Sequence, residues 1–164
     1  MENNLTVIER LIKEHEQSLT KIQELNSAMR QLARLKQDWI PGSPSNLEQN
    51  LDRLEKTLEE IGSELEDHLR FEEERFLPIL TNYAADIIRS GLLCEHNKLL
   101  DSITVLRKNA RSLVGKPSSR DELLVRQSAI KESINNILQF VGEHAQTQDM
   151  IFKLAKEALA SKPQ

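Results

Sequence analysis

The chain has 164 residues, enough to bury a substantial core, and the whole of 1–164 reads as one domain. Charged residues make up 29% and aromatic residues 4%, with five glycines and five prolines. That balance favours an all-α fold over a sheet fold. A net charge of -4 without a basic stripe argues against nucleic acid and anionic membranes as partners.

Apolar residues recur at helical spacing in four stretches, each holding one histidine. The first, about residues 5–37, carries the row Ile8, Leu11, Ile12, His15, Leu19, Ile22, Leu25, Met29 and Leu32, and a loop at 38–46 with two prolines and a glycine stops it. Trp39 and Ile40 in that loop are candidate docking residues for a protein partner or a second copy of the chain. The second stretch, about 46–80, aligns Leu51, Leu54, Leu58, Ile61, Leu65, His68, Glu72 and Phe76, with Asn46 and Gln49 as a candidate cap and Pro78 as a kink or stop. The third begins with a short helical turn at 83–88, is interrupted at Ser90-Gly91, and runs on through 92–113 with Leu92, His96, Leu99, Ile103 and Leu106. After a loop at 114–119, Ser119 and Glu122 have capping-box spacing and open a fourth helix to about residue 160, with His144 on its inner row and a frayed tail at 161–164. Short connections make this an up-down-up-down four-helix bundle. Alternating direction brings His15, His68, His96 and His144 toward the same end. No apolar run approaches the ~20 residues that span a bilayer, and the N-terminus lacks the features of a secretion signal. A cytoplasmic location is expected.

A single histidine on an apolar face is usually a core residue with one hydrogen bond. Four of four is different: an apolar stripe covers roughly a third of a helix, so chance gives about one in eighty. Four imidazoles buried without partners would be costly, and a metal ion supplies a shared partner. Glu72 follows His68 by one turn on the same face, whereas Glu73 and Glu74 are expected to turn outward. Asp149 follows His144 by five residues, about 140° around the helix, while Gln148, four residues on, faces the right way but is a poor, neutral ligand. Either Asp149 reaches across with local helix distortion, or a second carboxylate is absent. Cys94 lies about 200° from His96 and is expected to be a small buried hydrophobe rather than a ligand.

The order His15, then His68-x-x-x-Glu72-Glu73 running into Phe76-Leu77-Pro78, then Glu95-His96, then His144-x-x-x-x-Asp149 resembles the hemerythrin family in its bacterial HHE cation-binding branch, over about residues 5–157. The resemblance implies a four-helix bundle around one or two non-haem iron ions. His15 and His68 would hold one iron, His96 and His144 the other, with Glu72 and Asp149 bridging. Two positions depart from the family pattern. Leu100 stands where oxygen-carrying members have a fifth histidine, and Gln148 stands where iron-centre repair members have glutamate.

The expected function is binding of dioxygen or nitric oxide for sensing, storage or carriage. Iron storage or delivery, or repair of iron-sulfur centres, is the alternative, and a metal-free helical interaction module is an alternative of another class. No nucleophile elbow, phosphate loop or paired catalytic carboxylates occur, which favours a binding protein over an enzyme.

Overall fold

The computed structural model describes residues 4–35, 46–80, 83–113 and 117–160. They form four long helices, α1 (Asn4–Leu35), α2 (Asn46–Phe71), α3 (Tyr83–Arg111) and α4 (Arg120–Ala160), and the described residues contain no strand. The expected loop at 38–46, with Trp39 and Ile40, and the tail at 161–164 fall outside the described residues but for Asn46, where α2 begins and whose side chain is likewise outside them.

Cross-helix contacts give the topology. Glu14 meets His68 while Lys21 meets Glu64; Arg107 meets Glu66 while Arg111 meets Glu59; Glu95 meets His144 while Asn109 meets Ser133. In each pair the numbers rise along one helix as they fall along the other, so sequential helices are antiparallel. Packing of α1 on α4 closes the up-down-up-down bundle. The close approach of α3 to α2 occurs at Gly62, where an added Cβ would lie 3.1 Å from Arg107 Nε and 3.2 Å from Ile103 Cγ2.

Two apolar clusters fill the interior. The larger contains Ile22, Leu58, Leu65, Leu99, Ile103 and Val141, and the smaller contains Ile8, Leu11, Phe76, Leu92 and Phe152. Along every helix the histidine falls between residues of these two clusters, so the imidazoles form a polar layer with apolar packing on both sides.

The end of α2 departs from regular α-helix. A π turn spans Glu72–Phe76, with the Leu77 N–H donating to the Glu72 carbonyl five residues back, and a short 3₁₀ turn follows at Leu77–Ile79. Pro78 has no N–H to donate, and its ring crowds the carbonyl of the preceding turn, so an α-helical ladder cannot continue through it. The widened turn sits immediately before it and buries both Glu72 and Phe76.

The expected interruption at Ser90-Gly91 is corrected: α3 is continuous from Tyr83 to Arg111. Gly91 is exposed with open space around its Cβ position, so it weakens the helix without interrupting it. Leu92 and the half-buried Ile88 anchor this stretch to the smaller cluster. Arg89 Nη2 also donates to the Leu77 and Leu80 carbonyls, at 2.9 and 3.1 Å, tying α3 to the end of the preceding segment.

The cap of α4 forms with a shift. Ser119 Oγ accepts from the Glu122 N–H at 3.1 Å, but Glu122 returns its carboxylate to the Ser118 N–H, at 2.8 Å, rather than to that of Ser119. Among the described residues no helix is long and apolar enough to cross a membrane.

Candidate metal centre

Each helix contributes one buried imidazole to the polar layer. His15 comes from α1, His68 from the last turn of α2, His96 from α3 and His144 from α4, and none is more than 6% exposed. Glu72, in the π turn, is completely buried at their centre. Its two oxygens face different pairs. Oε1 lies 3.5 Å from Nε2 of both His15 and His68. Oε2 lies 2.9 Å from His96 Nε2 and 3.2 Å from His144 Nε2. Ring centroids are 4.6 Å apart for His15 and His68 and 5.1 Å for His96 and His144. One carboxylate therefore sits between two pairs of imidazole nitrogens.

Outside this group lies a set of carboxylates that the sequence reading did not pick out. Glu14 accepts from His68 Nδ1 at 2.8 Å, Glu73 from His96 Nδ1 at 2.9 Å, and Glu95 from His144 Nδ1 at 2.9 Å. Each bond leaves the Nε2 atom of its ring directed at Glu72, the nitrogen that a metal would take up once unprotonated. The donors are crossed between helices: Glu14 precedes His15 but holds His68, and Glu95 precedes His96 but holds His144. The repeated Glu-His dipeptides were the available signal. Glu73 is exposed, as expected, yet its carboxylate turns back onto His96. Glu14 is itself held by Arg10 at 2.7 Å, and Arg10 lies over the Phe71 ring, 3.8 Å from its centroid.

Protonation follows from this arrangement. Burial would push the Glu72 carboxyl up, but the imidazoles of His144, His15, His96 and His68 hold it well below its ordinary range. Burial pushes His68 down despite the carboxylates of Glu72 and Glu14. Burial also acts against the charged form of His96, and the contacts with Glu72 and Glu73 outweigh it and raise that ring. Glu14 is lowered because His68 and Arg10 outweigh the effect of its burial.

Five of the six expected site residues come together: His15, His68, Glu72, His96 and His144. Asp149 does not. It is exposed, because α4 runs undistorted through this stretch and five residues of regular helix turn it to the outer face. Gln148 takes the inward position and is completely buried. Cys94, expected to be buried, is exposed, and Leu100 packs half-buried against the larger apolar cluster.

The donor set fits a metal ion. His15, His68, Glu72 and His144 each offer one ligand atom within 4.8 Å of the others. Both ring nitrogens of His15, Nε2 of His68 and His96, and Glu72 Oε1 are buried without a hydrogen-bond partner, a costly arrangement that a shared cation resolves. A cavity of about 10 Å³, bordered by His15, His68 and His144 on one side and Leu65, Leu99 and Val141 on the other, adjoins the cluster.

Fold and cluster together define a helical bundle with a buried His/Glu group of metal-binding character. The family model of the hemerythrin HHE cation binding domain matches residues 6–155, and the chain belongs to that family. No curated protein and no solved structure matches the chain significantly.

Proposed function

We propose that the chain is a non-haem iron protein that holds two iron ions on His15/His68 and His96/His144, bridged by Glu72, and binds dioxygen or nitric oxide for sensing, storage or carriage. The observation that carries this reading is the placement of the two Glu72 oxygens, each toward its own pair of imidazoles. A bound iron pair would supply redox-active ions able to take up a small diatomic ligand. The chain's own contribution is to fix the rings. Glu14, Glu73 and Glu95 orient the rings of His68, His96 and His144, and the aliphatic side chains of the two apolar clusters limit access of water. A cytoplasmic location would keep both Cys94 and a ferrous pair reduced.

A second reading, iron storage or delivery, is favoured by one feature. An open cleft of about 300 Å³ between α1 and α2 reaches His68, lined by Glu14, Glu64 and Asp67 together with Arg10 and Lys21, which pair with Glu14 and Glu64. Ser18 and His68 border both this cleft and the cavity beside the cluster, which places the cleft close to the buried imidazoles. Exposing the iron-loaded, reduced protein to dioxygen separates the two. Gas binding predicts a visible absorption band that is stable and reverses on removal of the gas. Rapid bleaching with release of iron would reject gas binding in favour of iron handling.

A further inference from the structure

A cavity of about 480 Å³ opens between α1 and α4, away from the histidine layer. Asn26, Met29 and Arg30 line it from α1, and Gln127, Ser128 and Lys131 from α4. Asn26 lies about 16 Å along α1 from His15, so this cavity is separate from the metal centre and from the cleft that reaches His68. Its size falls within the roughly 300–1,000 Å³ usual for small-molecule sites.

The charge of the cavity is one-sided. Arg30 and Lys131 both border it, and among the described residues no carboxylate does, in a chain with a net charge of -4. Other basic side chains between helices are met by glutamates: Lys21 by Glu64, Arg107 by Glu59 and Glu66, and Arg111 by Glu59. Arg30 commits only its Nε, which donates to the Asn26 carbonyl of its own helix at 3.3 Å. Two cations sharing one cleft repel each other and favour an anion between them.

Gln127 adds an independent observation. It is 6% exposed, and neither its amide oxygen nor its amide nitrogen has a hydrogen-bond partner. A buried amide in that state is destabilising unless something meets it. A glutamine side chain has enough rotatable bonds to turn its amide into the cavity that it borders.

We propose that this cavity binds a small organic anion, whose carboxylate or phosphate is held by Arg30 and Lys131 and whose hydroxyl is met by the Gln127 amide. The buried Met29 side chain gives the ligand an apolar wall, and Asn26 and Ser128 add polar groups at the rim. The site needs no metal.

The test is calorimetric titration of the full chain with malate, succinate and glycerol 3-phosphate, at low and high salt. Wild type is expected to bind malate or glycerol 3-phosphate with a dissociation constant of about 1 mM or tighter, and salt to weaken the binding. Which of the two binds separates a carboxylate ligand from a phosphate one. Arg30→Gln and Lys131→Gln should each weaken it about tenfold. Malate should bind better than succinate, which lacks the hydroxyl, and Gln127→Leu should abolish that preference. Gln127→Leu should also raise the unfolding temperature of the ligand-free protein, because it removes the unpartnered amide. His68→Ala should bind the same anions as wild type. The proposal is overturned if neither malate nor glycerol 3-phosphate binds saturably, if both charge variants bind as wild type does, or if the preference for malate survives in Gln127→Leu. Loss of binding in His68→Ala alone would place the anion at the metal centre and overturn it as well.

Discussion

Glu72 is a fully buried carboxylate whose near neighbours are four imidazoles, and its acidity follows from them. Its folded pKa lies well below the ordinary value of 4.5, and that of Glu14 is lowered as well. Groups depressed on folding contribute stability above their unfolded pKa and lose it as the pH falls through the folded value. The metal-free protein is therefore expected to lose stability progressively below about pH 4.5, and Glu72→Gln to flatten that loss. Urea unfolding midpoints between pH 6 and pH 3 measure it, and parallel slopes in the two proteins would contradict it. The three outer carboxylates act through the rings they hold, so Glu14→Gln, Glu73→Gln and Glu95→Gln should each weaken metal binding by about 10–100-fold. His68→Ala should weaken it further, and Cys94→Ala, on an exposed side chain, should leave it unchanged. Metal titration checks all five, and equal affinity in His68→Ala and Cys94→Ala would remove His68 from the centre. The inner imidazoles and Glu72 were legible in the sequence because helical spacing maps directly onto a face. Their outer partners were not, because which glutamate meets which ring depends on the register between neighbouring helices. For Asp149 the 140° offset was the correct signal, and the structure sides with it over the family pattern.

Helix existence followed from apolar periodicity, and where the reading failed it failed on local chemistry. Ser90-Gly91 looked like a break because serine and glycine are poor helix formers. Packing of Leu92 and the Arg89 hydrogen bonds carry α3 through it. Gly91 is then an exposed mid-helix glycine with nothing within 4 Å of its Cβ position. Gly91→Ala should stabilise the protein by about 0.5–1 kcal/mol, measured by chemical unfolding; destabilisation would show that the helix does not pass through this residue. Pro78 was legible as a stop, but the π turn before it was not, since no residue type marks one. That turn has functional weight, because it begins at Glu72 itself and buries Phe76 beneath the histidine layer. At the start of α4, Ser118 and Arg126 hold the exposed Glu122 carboxyl down at about 2, so this cap persists in mild acid.

The bundle as a whole consists of two apolar clusters with a polar layer between them. Spread along one end, the same histidines would be surface residues; enclosed on both sides, they are buried groups that require a partner. This is the physical argument against a metal-free interaction module: orphaned buried nitrogens would be a standing cost with no return. It also couples metal to stability, since a ligand that binds only the folded chain stabilises it by about 2.7 kcal/mol at a hundred times its dissociation constant. Removing metal with a chelator should lower the unfolding temperature, and restoring Fe²⁺ or Zn²⁺ should recover it, by calorimetry. Unchanged unfolding in the presence of bound metal would mean that the ion binds the unfolded chain as well as the folded one, which contradicts a site assembled from four helices.

The proposal that this layer is an iron centre is tested most directly by metal content, with identity, of the protein purified under aerobic and under anaerobic conditions from iron-supplemented culture. The arrangement of Glu72 between two imidazole pairs predicts iron approaching two ions per chain, and a lower content in the His68→Ala variant. Less than about a tenth of an ion per chain in both preparations would contradict it.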